Sequence, residues 1–175
     1  MNTTISPTPV ARPTLGMVTQ AVHRRSVAVL STVSAAGRPH AATVVYSAVG
    51  HQLYVSTIRS SRKGRNLAEN PWAGVVIPVR RLPVGPPSSI QFQARAELLS
   101  PDDDELVRLA EAGELKEVTG HGELDLPDGC FVRITPVNRL HTYGLGLSLW
   151  KLIRDPLSAG ASVELPGDDR GRADR

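Results

Sequence analysis

A mainly β domain, a small barrel with a few helices at its corners, is the fold class this sequence predicts. Three observations carry that prediction. Runs rich in β-branched residues, or alternating apolar and polar, recur along the chain at residues 27–33, 40–46, 53–56, 72–79, 90–99, 130–134 and 138–143. Several connections are only a few residues long and carry turn chemistry, as at Ala36, Gly37, Arg38 and Pro39. Helical patterns are sparse, so helices do not alternate with the strands as a βαβ fold requires.

Taken in order, residues 14–25 set Leu15, Val18, Ala21 and Val22 at helical offsets, with Pro13 where a first turn tolerates it. Val27–Val33 is a dense β-branched strand, and residues 40–46 follow it after the turn. Val49, Gly50 and His51 read as the next turn and residues 53–56 as a third strand, which together predict an antiparallel meander. Residues 61–69 form a short helix that stops at Asn70, because a residue before proline is pushed out of the helical region. Pro78 within residues 72–79 predicts an edge strand or a bulge. A proline-rich loop spans 82–87. In residues 90–99, Ile90, Phe92, Ala94 and Ala96 share one face, and Gln91, Gln93, Arg95 and Glu97 the other. Residues 101–118 read as a helix whose Asp102, Asp103, Asp104 and Glu105 match the positive end of the helix dipole. A loop over 120–129 and two last strands complete the pattern. Residues 1–12 are predicted to be a flexible tail, 13–166 one domain, and 167–175 a disordered tail with almost no apolar content.

Composition narrows the function classes. The chain has 175 residues, enough for one domain with a real core. Hydrophobic residues make up 41% and aromatic residues only 4%, so that core is built mostly from Val, Leu, Ala and Ile. A formal charge of +3, without aromatics interleaved among the basic residues, does not point to nucleic acid. No run reaches membrane-spanning length, and the N-terminus lacks the basic start and apolar core of a signal peptide. The lone Cys130 excludes an internal disulfide and sits in an apolar run, where it reads as a buried small hydrophobe; a cytoplasmic location is expected. The five histidines, His23, His40, His51, His121 and His141, show no helical metal-ligand spacing. Gly-x-Ser-x-Gly, Gly-x-Gly-x-x-Gly and Walker-type motifs are absent.

The most informative stretch runs from Ser60 to Pro71. It places Arg62, Lys63 and Arg65 with Ser60 and Ser61 at the start of a short helix, directly after a strand. Unpaired N–H groups and a partial positive charge at a helix start, joined by arginine and lysine side chains, suit a phosphate or another anion. A solvated basic helix is the plainer alternative. Arg80 and Arg81 can extend such an anion groove or stand as simple exposed arginines. His141 reads as a surface or hydrogen-bonded histidine near the barrel end, with a place in a substrate cavity as the alternative. Residues 144–153 are apolar and glycine-bearing, and Trp150 is expected to pack, with capping of a ring pocket or locking of a dimer as alternatives.

Three pieces of sequence resemble the split β-barrel family of the pyridoxamine 5′-phosphate oxidases and their flavin and deazaflavin relatives. They are Val29–Val33 through Gly37, Arg38, Pro39 and His40 to Tyr46; Leu53–Thr57 leading into Ser61–Leu67, Asn70 and Pro71; and Ala96–Ser100 with Phe131–Pro136. The resemblance implies a Greek-key-like split barrel, a homodimer, and a cofactor held in a groove between subunits. It assigns the cofactor phosphate to Arg62 and Lys63, supporting contacts to Ser56 and Thr57, and the backbone beside a flat ring to His40, Ala41, Ala42 and Thr43. Asn66 and Arg65 fall on matching helix positions. The small residues at 41–43 would let a backbone approach a ring closely, as a flavin host needs. The implied function is hydride transfer between FMN or coenzyme F-420 and a small conjugated organic substrate. A composition rich in Ala, Arg, Gly and Pro, of the actinobacterial kind, tips the choice toward F-420, whose polyglutamate tail would use Arg59, Arg65, Arg80 or Arg81. Haem ranks behind both, and a haem- or flavin-binding carrier or sensor without turnover is the alternative. Residues 144–153 depart from the pattern of the true pyridoxamine phosphate oxidases, which argues against the vitamin substrate and not against the cofactor site.

Overall fold

The computed structural model describes residues 12–79, 87–120 and 122–166. Nine strands form one antiparallel sheet: β1 (Val27–Val33), β2 (Pro39–Val45), β3 (Ser47–Val49), β4 (Gln52–Ile58), β5 (Trp72–Pro78), β6 (Ser89–Leu99), β7 (Gly129–Pro136), β8 (Arg139–Tyr143) and β9 (Gly160–Glu164). Among the described residues four α-helices accompany them: α1 (Leu15–His23), α2 (Arg62–Glu69), α3 (Asp104–Glu111) and α4 (Leu149–Arg154). Among the described residues no helix is long and apolar enough to cross a membrane.

The strand order β2-β1-β5-β6-β7-β4-β3 curls the sheet into a barrel. Only Tyr46 separates β2 from β3, so the two ends of that path are one bent strand. Tyr46 is fully buried at the bend. Its N–H donates to the Ser26 carbonyl at 2.8 Å and its hydroxyl to the Val22 carbonyl at 2.8 Å. Burial raises the pKa of this phenol far above its ordinary value, against the opposing effect of the Arg25 cation. The predicted meander is therefore corrected. β1 pairs with β2 and β3 with β4, but β4 goes on to pair with β7 and β1 with β5. The β3 segment, too short for a period-2 signal, lies between the predicted strand at 40–46 and the predicted turn, sharing only Val49 with the turn.

Pro78 also requires a correction. β5 is internal, between β1 and β6, and Pro78 is its last residue, opposite Ser89 and beyond the three residues that pair with β1. No ladder N–H is needed there. β6 has the predicted alternation, with Ile90, Phe92, Ala94 and Ala96 buried. Its length lets one edge hold two partners, β7 over residues 94–99 and β8 over 89–91. The chain kinks between those partners at Asn138, whose φ of 63° suits asparagine better than most side chains.

The main core lies inside the barrel, around Leu30, Tyr46, Leu53, Val55, Ile77, Ile90, Phe92, Val132 and Ile134, with Val18 and Val22 of α1 packed on it. Each such side chain contributes on the order of 1.5–3 kcal/mol by leaving water. A smaller cluster of Tyr54, Leu99, Leu106, Leu115, Val118 and Phe131 lies under α3. The Tyr54 hydroxyl donates to Glu105 Oε1 at 2.6 Å, and Arg133 joins Glu105 to Glu97, 2.6 Å from Glu97 Oε2. α3 is shorter than the predicted 101–118. Asp103, rather than a residue nearer Pro101, caps it by accepting from the Glu105 N–H at 2.9 Å, and Gly113 at φ 73° follows its end. The predicted loop at 120–129 contains a short 3₁₀ turn, Glu123–Asp125.

Residues 144–153 do not pack as predicted. Trp150 is 77% exposed, and Leu152 is the buried side chain of α4, against Gly144. A Cβ on Gly144 would stand 2.9 Å from Leu152 Cδ2. Cys130 is buried as expected. Residues 1–11 and 167–175 of the predicted tails, residues 82–86 of the proline-rich loop, the arginines at positions 80 and 81 and the histidine at 121 lie outside the described residues.

Candidate functional site

The first turn of α2 is built by its own sequence and then locked by distant residues. Ser61 has an extended backbone, and its hydroxyl accepts from the Gly64 N–H at 3.1 Å. That is the N-cap that starts the helix. Asn70 ends it, donating its N–H to the Asn66 carbonyl at 2.8 Å before Pro71. Leu67 and Asn66 are buried, while Arg62 and Arg65 are exposed and Lys63 is half-buried.

Gly64 decides how close α2 can sit. A Cβ there would lie 2.5 Å from the carbonyl oxygens of both Ile58 and Arg59. Only a glycine lets the helix rest on the backbone at the end of β4. The loop joining them is held by Asp128, whose carboxylate accepts from the Ser60 hydroxyl and from the Ser60 N–H at 3.2 Å, while its carbonyl accepts from the Arg59 N–H at 2.9 Å. The Ser60 hydroxyl and N–H hold the Asp128 carboxyl below its ordinary pKa. The tie is therefore present above the unfolded-state value and lost only as pH falls through the lowered one. Arg65 donates to the Ser60 carbonyl, and Thr57 Oγ1 lies 3.3 Å from Ser61 Oγ.

Arg62 and Lys63 differ from these neighbours. Among the described residues neither side chain has a hydrogen-bond or carboxylate partner, and their backbone N–H groups at the helix start have none either. Two cations and two free donors therefore share one turn of an eight-residue helix. Cys130 lies beneath them, opposite Thr57 in the β4–β7 ladder. Burial pushes its thiol up, while the nearby Arg59 and Lys63 cations act in the opposite direction.

β2 meets this site through β1. His40 is the register partner of Thr32, and the Thr32 hydroxyl accepts from Asn66 Nδ2 at 2.9 Å, both side chains being buried. Asn66 thus spends a side-chain donor inside the fold and joins α2 to β1. Along β2, His40 and Ala42 are half-buried and Ala41 and Thr43 exposed, and among the described pairings this strand bonds only to β1. Its other edge has no strand partner among the described residues, and β2 also contacts α2 and β4. Ser56 and Thr57 are buried in β4.

The structure thus sets the start of α2 on the end of β4, and ties the later part of α2 to β1, the partner of β2, through Asn66 and Thr32. His141 is elsewhere, exposed on β8 opposite Gln91 and Ser162. Sequence reasoning had not singled out Ser61 as the cap, Gly64 as the close-approach point, or Asp128 and Thr32 as anchors. A serine before a helical run signals the first; nothing local signals Asp128, 68 positions from Ser60. The described residues contain no group of three or more His, Cys, Asp or Glu placed to hold a metal ion.

The sequence pattern of the pyridoxamine 5′-phosphate oxidase family matches residues 17–142. A pyridoxine/pyridoxamine 5′-phosphate oxidase from Frankia alni is 45% identical over 58 residues, which is 33% of this chain and only 24% of that protein. HutZ, a heme storage protein of Vibrio cholerae, shares the fold with a TM-score of 0.63 at 21% identity, over 75% of this chain and 96% of HutZ. A heme binding protein of Mycobacterium smegmatis gives 0.65 at 24% identity, over 89% of this chain and 60% of that one. A pyridoxamine 5′-phosphate oxidase-related, FMN binding protein of Nostoc punctiforme gives 0.56 at 19% identity, over 87% and 96%. At such identities these likenesses speak for the fold alone.

Proposed function

This chain belongs to the pyridoxamine 5′-phosphate oxidase family, and on that premise we propose that it is a flavin- or deazaflavin-dependent oxidoreductase acting on a small conjugated organic substrate. The observation that carries the reading is the unpartnered Arg62–Lys63 pair at the capped start of α2, a helix that also contacts β2, whose outer edge has no strand partner among the described residues.

Arg62 and Lys63 would grip the cofactor phosphate by charge-assisted hydrogen bonds, with the first N–H groups of α2 aimed at the same anion. Ser61 holds the helix start in place, and Gly64 and Asn66 fix its distance from β4 and β1. The backbone at His40, Ala41, Ala42 and Thr43 would lie along the ring, where small side chains at 41 and 42 keep the approach open. The bound flavin or deazaflavin supplies the hydride chemistry, so the protein's part is orientation and charge. Arg62, Arg65, Ala41 and Thr43 are all exposed on the single chain, which supports a second copy completing the groove as a homodimer. Free cations at Arg59, Arg62 and Lys63 are compatible with F-420 as well as FMN; F-420 is the slightly favoured choice.

Titration of the purified protein with FMN and with F-420 tests this directly. Replacing Arg62 and Lys63 together by Ala should weaken binding by about 1.5–3 kcal/mol for each charged hydrogen bond lost, with little change in unfolding midpoint. Unchanged affinity would remove the clamp. A second reading, a haem- or flavin-binding carrier without turnover, draws support from the heme proteins that share this fold. A Soret band on reconstitution with haem, and none of the flavin response, would favour it.

A further inference from the structure

A second place in the fold has unsatisfied polar atoms, and the family reading does not use it. Between the end of α1, β3 and the turn after α3 lies a cleft of about 260 Å³, a little below the roughly 300–1,000 Å³ usual for small-molecule pockets. Its floor includes Arg25, Tyr46 and Ser47. Ser47 is 3% exposed, and its hydroxyl has no hydrogen-bond partner; Arg25 Nε is likewise buried without one. Buried polar atoms are almost always paired, so two orphans in one cleft mark something missing from it.

Charge identifies the missing group. Arg25 gives its other donors to the carbonyls of Val79 and Arg24, and among the described residues no carboxylate pairs with it. A guanidinium held part-way out of water by two backbone carbonyls keeps its full charge without a counter-ion. At the mouth, exposed Arg24 and Lys116 face Glu114 and Glu117, so the rim is close to balanced and the floor decides the preference. The Tyr46 hydroxyl is already spent on Val22, which leaves Arg25 Nε and the Ser47 hydroxyl as the buried donors without a partner, with the half-buried Ser26 and the rim cations as further donors on the lining.

We propose that this cleft is an oxyanion site, taking the carboxylate or phosphate end of a small molecule between the Arg25 Nε–H and the Ser47 hydroxyl. Such a site would regulate or anchor, since it is formed by α1 and β3 and not by α2 and β2.

The test uses the full chain carrying Arg62→Ala and Lys63→Ala, which silences the other candidate anion site. Inorganic phosphate and acetate are titrated separately at constant ionic strength set with sodium chloride, and binding is read from the heat-unfolding midpoint and from amide NMR shifts around residues 25 and 47. At least one of the two anions should raise the midpoint and move those amides; which one does so distinguishes a phosphate ester from a carboxylate. Adding Ser47→Ala should weaken that anion's binding about tenfold, the size of one charged hydrogen bond, without lowering the midpoint of the anion-free protein. Arg25→Gln should weaken it at least as much; should that variant fold poorly for want of its Val79 contact, Ser47→Ala decides alone. No response to either anion, or an equal response in Ser47→Ala, would overturn the proposal and leave water as the filler.

Discussion

Two pairs of cations, Arg62–Lys63 and Arg24–Arg25, sit beside the barrel in opposite circumstances. Around the first, the supporting polar groups are satisfied: Ser61 caps α2, Asp128 holds Ser60, and Asn66 bonds Thr32. Among the described groups of this helix start, the two cations and two backbone donors remain free. Around the second, the cation itself is engaged with carbonyls, and the unsatisfied groups are Arg25 Nε and Ser47 Oγ, inside a cleft. The difference teaches where binding capacity resides. At α2 the scaffold is complete and the charge is left without a partner, as the proposed cofactor clamp requires. At α1 and β3 the scaffold is incomplete until something fills it.

That contrast predicts unequal responses to mutation. Gly64→Ala should have the largest effect, because its Cβ would meet two backbone carbonyls that cannot swing away. A loss of about 3 kcal/mol in urea unfolding, with cofactor affinity lost too as α2 lifts from β4, is expected. Normal stability and binding in that variant would mean that α2 is not pinned. Asn66→Ala leaves a buried Thr32 hydroxyl without its donor and should cost about 2 kcal/mol, read by the same titration, with a smaller drop in cofactor affinity. Ser61→Ala removes one cap and should cost about 1 kcal/mol, and faster amide exchange at residues 62–64 would localise it. Ser47→Ala should be the mildest: deleting an unpaired buried hydroxyl should change anion-free stability by no more than about 0.5 kcal/mol, in the stabilising direction. A loss like that of Asn66→Ala would reveal a hidden partner and erase the contrast between the two regions.

How much of this was legible beforehand follows the range of the interactions. β1, β6 and α2 announce themselves through β-branched runs, period-2 alternation and a serine–arginine–lysine start ahead of Asn70 and Pro71, all set within a few residues of one another. The meander was misread because a turn signal says that two strands are close in sequence, and says nothing of a strand that bends at Tyr46 and serves both edges of a closed sheet. Pro78 misled for a related reason: its missing N–H excludes a ladder bond at one residue, and β5 simply has no bond to make there with β1. Trp150 was expected inside because it is large and apolar, yet Gly144 leaves room for Leu152 instead.

Local chemistry alone thus determined the mainly β class, the alternating face of β6 and the cationic start of α2, since each depends on dihedral preference, pattern and charge over one or two turns of chain. Tertiary structure decided barrel closure, the anchoring of Ser60 by Asp128 and of Asn66 by Thr32, and the cleft where Arg25 meets Ser47. The closure at Tyr46 and the two anchors depend on which distant backbone groups and side chains come within 2.8–3.2 Å of each other, and the cleft depends on which elements line it; no property of a short segment encodes either.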